Sequence, residues 1–245
     1  MKKKIDRFST AANLYLKYRP VFPKKFLTEI CNLANGYGNA LDVGAGNGQV
    51  AMVLSTFFKN VEAIDISKEQ LNNAVKKSNI HYRVSRAEQT PFSSHQFNII
   101  TVGQAFHWFD FNAFYKEAAR IIKPGGILAI FGYGLIEGTP FFNQKIKAFY
   151  QKTEPYWDPE RTYIDDHYKN IDFPFTDIAL SKPYYIEVNW TAAQLKGYLN
   201  SWSAIKKIKK DNPVDAFIKE ITTAPTEKLT LKFPVFYRIA RIGQQ

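Results

Sequence analysis

Leu41-Asp42-Val43-Gly44-Ala45-Gly46-Asn47-Gly48-Gln49 follows a short apolar run and precedes an apolar-periodic one. That order reads as strand, tight turn, helix. Gly44, Gly46 and Gly48 strip three Cβ atoms from one turn, which permits positive φ and lets a ligand lie against bare peptide. A glycine turn at the carboxyl end of a first strand is where open α/β sheets bind ligands. The spacing narrows the choice. A dinucleotide turn has the form G-x-G-x-x-G, but here the third glycine comes one residue early and Gln49 holds the expected place. No G-K-[ST] follows, which excludes a Walker loop. Taken alone, the turn suits a ligand-free strand–helix connection equally well.

A second landmark shifts that balance. Val61-Glu62-Ala63-Ile64-Asp65 reads as a second strand ending in a carboxylate, 21 residues after Gly44. The ribose-binding acid of a βαβ nucleoside site lies about 20 residues on, and a carboxylate accepts from both ribose hydroxyls. The competing reading is an ordinary solvent-facing strand end.

Working outward, five strand–helix repeats emerge. Helix Lys24–Asn35 precedes strand Ala40–Val43, and helix Gln49–Phe58 follows the turn. After Asp65, Ser67 with Gln70 forms a capping-box pattern that opens a helix to about Lys77. Ile80–Val84 is a third strand, Ser85 to Phe92 a loop, and Phe97–Val102 a fourth strand, apolar throughout as a buried parallel strand should be. Helix Asp110–Ile122 is stopped by Lys123-Pro124-Gly125-Gly126, and Ile127–Phe131 is the fifth strand. The alternation predicts a doubly wound, mostly parallel α/β sheet, seven-stranded once later segments join. Beyond Gly134 the pattern loosens into a helix at Pro140–Lys152, a strand at Tyr184–Trp190, a Thr191-capped helix to about Ser201, a helix at Val214–Thr222, and a closing strand Leu229–Ile242 interrupted by Pro234. Residues 1–36 are expected as an N-terminal arm and helix, 37–135 as the ligand-binding core, and 136–245 as a helical elaboration with closing strands of the same domain.

Composition bounds the rest. A length of 245 residues with 45% apolar and 16% aromatic content builds a sizeable core. The single cysteine, Cys31, reads as a small buried helix residue and points weakly to a reducing compartment. MKKKIDRFST lacks an apolar core behind its charges, and no apolar run approaches 18 residues, so a cytoplasmic chain without a membrane span is expected. The net charge is +11, of which residues 1–36 carry +6. This excess, with a lysine run at 206–210, is read as a solvated face. Nucleic acid or an anionic membrane is the competing partner, and steering of an anionic small substrate a third. One cysteine and scattered histidines make no metal site.

Tyr18-Arg19-Pro20, the glycine turn behind Asp42, Asp65, Ala87-Glu88, Gln104-Ala105-Phe106-His107-Trp108, Lys123-Pro124-Gly125-Gly126 and Ser201-Trp202-Ser203 occur together in order. The chain resembles class I S-adenosylmethionine (SAM)-dependent methyltransferases, in particular the small-molecule branch that includes the trans-aconitate methyltransferases, over nearly its whole length. The resemblance implies SAM as cofactor. It implies that Gly44, Gly46 and Gly48 support the methionine half, with Asp42 taking its ammonium end directly or through water. Asp65 would hold the ribose and Ile66 would cover the adenine. Ala87 and Glu88 would meet the adenine edge, and Gln104 and Ala105 would lie near the sulfonium.

For the acceptor, expectation centres on a small molecule, with O-methylation of a carboxylate favoured. Tyr18 and Arg19 would close over the site, Arg19 offering a fork to a carboxylate. Phe106, Trp108 and Phe109 would exclude water, and Tyr133 and Trp202 would line the pocket. His107 is the candidate catalytic group, either a general base or a hydrogen-bond partner of a substrate carboxylate; a packed loop histidine is the plain alternative. The rivals are an RNA or protein methyltransferase, motivated by charge, and a SAM-binding module without turnover. A nicotinamide dehydrogenase is more remote, because Gln49 stands where its third glycine belongs.

Overall fold

The computed structural model describes residues 19–208, 212–222, 226 and 228–243. Strands β1 (Asn39–Val43), β2 (Asn60–Asp65), β3 (Ile80–Val84), β4 (Phe97–Gly103), β5 (Ile122–Tyr133), β6 (Tyr184–Thr191) and β7 (Lys228–Ile242) form one seven-stranded sheet. Its order is β3-β2-β1-β4-β5-β7-β6. The first five strands are parallel, and β7 runs antiparallel between β5 and β6. The order reverses between β1 and β4, so the switch point opens beside the glycine turn.

Period-two patterning sends alternate side chains to two cores. Ala40, Ile99, Ile127 and Ala129 pack on one face, while Leu41, Ile100, Leu128 and Ile130 pack on the other. The first face is covered by α1 (Lys24–Asn32) and α2 (Gln49–Leu54), and further along by α5 (Pro140–Thr153), α7 (Ala192–Asn200) and α9 (Val214–Ile221). The second is covered by α4 (Phe111–Ile121) and α6 (Arg161–Asp165) with the turn after it. The remaining helices are α3 (Lys68–Asn72) and α8 (Ser203–Lys207). Among the described residues no helix is long and apolar enough to cross a membrane.

Several expected boundaries move, each for a local reason. Lys123-Pro124-Gly125-Gly126 is not a loop between helix and strand. Helix α4 ends at Ile121 and β5 begins at Ile122. The pairing with β4 shifts register between Phe97 and Ile99, and Gly125 takes φ +77°, so a bulge absorbs the proline and glycines inside the strand. Pro234 does not interrupt β7 either. Its carbonyl accepts from Gly134 N at 2.9 Å, so its missing N–H faces the β5 side. Pairing there already ends at Tyr133–Val235, and no ladder bond to β6 is lost. The Ser67 capping box is half formed: Ser67 Oγ accepts from Gln70 N at 3.3 Å, and α3 stops at Asn72. Thr191 and Gln194 make the full reciprocal box at the start of α7.

Candidate functional site

The carboxyl ends of β1, β2 and β4 open into a cavity of 630 Å³, within the usual range for small-molecule sites. Gly44, Gly46, Asp65, Ile66, Ala87, Glu88, Gln104 and Ala105 line one part of it. Arg19, His107, Trp108, Phe109, Trp157, Asp158, Arg161, Lys206 and Lys207 also line it.

At the glycine turn, Gly44 and Ala45 donate to Ile64 O at 2.8 and 3.0 Å, which ties the turn to the end of β2. Asp65 then faces it: Oδ2 accepts from Gly46 N at 2.9 Å and Oδ1 from Ser67 N at 2.8 Å. These bonds fix the carboxylate at the cavity wall. The three glycines are bare for different reasons. All have positive φ, +69°, +54° and +81° in order. A Cβ on Gly44 would meet Ala105 Cβ at 2.5 Å, and one on Gly48 would meet Tyr82 Oη at 2.1 Å. A Cβ on Gly46 would meet nothing within 4 Å. Gly46 is therefore bare beside open space, a cradle that a side chain would occupy. With a fixed carboxylate opposite, it fits a nucleoside-bearing cofactor.

Asp42 departs from its expected place. It is buried and absent from the cavity wall. Its Oδ2 accepts from Ala51 N at 3.0 Å and its Oδ1 from Thr101 Oγ1 at 2.9 Å. Helix α2 starts behind Gly48, which has no side chain to satisfy the first-turn N–H groups, and Asp42 does that work from the neighbouring strand. Burial pushes its carboxyl up to about 7, against the two hydrogen bonds and with the Asp65 charge adding.

Gln104 holds φ +54°, uncommon for a residue with a side chain. Its Oε1 accepts from Tyr133 N at 2.8 Å, which pins the end of β4 to the end of β5. Glu88 accepts from Asp110 N at 3.1 Å and pairs with Arg86 at 3.5 Å. Ile66, 43% exposed, stands at the rim as an apolar surface.

His107 lines the cavity and is itself buried. Its Nδ1 lies 3.1 Å from Tyr168 Oη. Burial, then the charges of Arg161 and Arg19, hold its imidazole down at about 3, so it is neutral at neutral pH and a weak base. Tyr168 reaches it from a turn in which His167 and Tyr168 both take positive φ.

Three expected acceptor residues and one further expected cofactor residue do not line the cavity. Phe106 packs among Phe109, Phe111, Phe114 and Tyr168. Tyr133 is buried under Arg19, whose Nη1 donates to its hydroxyl at 3.2 Å. Trp202 sits in an aromatic cluster with Phe149, Trp157 and Tyr198. Gly48 lies below the turn against Tyr82. Tyr18 falls outside the described residues.

Sequence reading passed over Arg161, Asp158 and Trp157, and took Lys206 and Lys207 for part of a solvated face. They come from α8 and the short irregular helices of 154–165, where no apolar period marks a face. Lys207 Nζ meets Asp158 Oδ1 at 2.9 Å, joining these segments beside the cavity. The only signal available was the lysine run itself.

Known proteins share this geometry. Residues 41–130 match the family model described as a methyltransferase domain. A Dictyostelium discoideum protein assigned as a methyltransferase is 32% identical over 96% of this chain and 95% of its own. A Saccharomyces cerevisiae protein assigned as an S-adenosylmethionine-dependent methyltransferase is 24% identical over 84% of this chain and 85% of its own. A solved structure from Anaeromyxobacter dehalogenans, assigned as a type II methyltransferase, superposes with a TM-score of 0.85 and 28% identity, covering 93% of this chain and all of that one.

Proposed function

The chain belongs to the SAM-dependent methyltransferase family, and on that premise we propose that it O-methylates a carboxylate of a small molecule. One observation carries the reading: the cavity that holds Asp65 and bare Gly46 also holds Arg19, Arg161, Lys206 and Lys207. SAM supplies a methyl group on a sulfonium, and the protein supplies binding, alignment and dryness. A carboxylate is ionised at pH 7 and needs no base. That suits a site whose histidine is a poor one, held neutral and tied to Tyr168. Trp108, Phe109 and Trp157 exclude water from the wall, which strengthens the attraction between an anionic acceptor and the cations around it. Gly46 and Asp65 would hold the cofactor, Ile66 and Glu88 would meet its base, and Gln104 and Ala105 would face its methyl-bearing end. His107 hydrogen-bonds the acceptor through Nε2, with Nδ1 engaged by Tyr168. The motifs from Tyr18 to Ser203 that resemble those of trans-aconitate methyltransferases point to the same acceptor class.

Labelled SAM supplied with an organic-acid pool and with total RNA tests this. Base-labile methyl esters of small acids are expected. Exclusive labelling of RNA would overturn the proposal, and tight SAM binding without transfer to any acceptor would leave a sensing module.

A further inference from the structure

Arg161 differs from the other cations at the cavity. Arg19 donates to Tyr133, Lys207 pairs with Asp158, and Arg86 pairs with Glu88. Lys206 is a single point charge on the short helix α8. Arg161 is a largely buried guanidinium, 18% exposed at its side chain, and held from behind. Its Nε donates to Tyr150 Oη at 2.8 Å and to Asp165 Oδ1 at 3.1 Å. Its Cζ lies 4.7 Å from the Trp157 ring centre and 5.4 Å from that of Tyr150. Tyr150 in turn donates to Asp165 at 2.8 Å. The plane of the guanidinium is thus fixed by stacking and by one edge. Among the described residues its two terminal nitrogens take no hydrogen-bond acceptor, and the side chain lines the cavity near His107. A planar fork presented this way matches the two oxygens of a carboxylate.

We propose that Arg161 is the residue that grips the acceptor's carboxylate, through the two terminal nitrogens of its guanidinium. The assignment rests on the carboxylate-acceptor reading above. Tyr150, Trp157 and Asp165 act as its positioning residues. Lys206 adds charge without direction, and Arg19, already engaged with Tyr133, plays the lesser part.

The test uses the full chain saturated with S-adenosylhomocysteine, titrated calorimetrically with glutarate, its neutral isostere glutaramide and inorganic phosphate. Wild type should bind glutarate and not glutaramide. Arg161→Gln should weaken glutarate at least tenfold while leaving S-adenosylhomocysteine affinity within twofold, and Arg161→Lys should fall between. A merely structural arginine would lower the melting temperature and leave the preference for glutarate over glutaramide intact; that result would overturn the proposal. So would wild type that ignores glutarate, or binds phosphate in its place. The outcomes separate the two readings. Arg161-dependent glutarate binding without any methyl ester formed retains the grip and sinks the reaction. Equal ester formation by wild type and Arg161→Gln retains the reaction and sinks the grip.

Discussion

At the residue scale, the three glycines of one turn separate into a ligand-facing position and a packing position. Ala at either meets left-handed strain of about 1–2 kcal/mol. At Gly48 the new methyl also collides with Tyr82 Oη at 2.1 Å, and overpacking adds about 1–3 kcal/mol. At Gly46 it projects into open space beside Asp65. Gly46→Ala should therefore lose more SAM affinity than stability, and Gly48→Ala the reverse; denaturant melts and SAM titration on both variants check the ranking. A second prediction concerns pH. His107 is depressed from 6.5 to about 3, so between those values the unfolded chain binds its proton and the folded chain does not; stability falls as pH drops below 6.5. Asp42 is raised from 3.8 to about 7, so the folded chain binds the extra proton and stability rises as pH drops below 7. From pH 7.5 to 5 the two terms oppose, at about 2 kcal/mol for His107 and about 2.7 kcal/mol for Asp42, from 1.36 kcal/mol per unit. Wild type should be nearly level across this window. His107→Asn should gain stability on acidification and Asp42→Asn should lose it, read by urea denaturation at both pH values.

At the element scale, β4 was legible because it is apolar throughout, and β1 and β2 because short apolar runs end at glycine and at an acid, whereas β3 is a partly exposed edge strand carrying His81 and Arg83. Asp65 closes β2 and the glycine turn closes β1. Helix ends were less legible. α3 stops at Asn72 rather than near Lys77 because Asn73 closes it and Val75 N turns to Asn47 O at 3.1 Å, a tertiary contact without a sequence mark. Asp42 was misplaced for a similar reason. An acid before a glycine turn reads as a ligand contact, and only the packed α2 shows that a helix with glycine at its cap needs a borrowed acceptor. Arg161 was missed because, although Asp165 lies one turn along its own helix α6, Tyr150 on α5 and Trp157 after the short 154–156 turn reach it by tertiary packing that no sequence period marks. The Thr191–Gln194 box was legible in its first half, and it starts α7, which leads into Ser201 and Ser203 at the cavity wall. Thr191→Ala should cost about 1 kcal/mol by chemical denaturation, with SAM affinity unchanged, since the residues proposed to hold the cofactor lie at the ends of β1, β2 and β4.

At the scale of the whole molecule, charge is divided inside the cavity. Asp65 and Glu88 stand among the cofactor-end residues, while Arg19, Arg161, Lys206 and Lys207 gather around His107 and the aromatic wall. A net charge of +11 thus has a focused component, which favours anionic acceptors by local concentration. The sheet is held together over long sequence distances. Gly126 pairs with Ile242 and Tyr184 with Val235, so among the described residues β7 is the strand that joins β6 to the rest of the sheet. A chain ending at Thr222 should leave β5 as an edge and β6 without its partner. Such a truncation is expected to aggregate or to lose its near-ultraviolet dichroism; a soluble, cooperatively melting product would contradict this role for β7.

The central slot left for β7 also bears on how the protein is made. A ribosome delivers β1 to β5 first, and these can pair as they emerge. β6 follows with no strand beside it, and the gap between it and β5 is filled only by β7, the seventh of these strands in chain order, which must pair with two strands already synthesised. The sheet is therefore complete only once β7 has been made, and until then β5 and β6 both present open edges that invite wrong strand pairing.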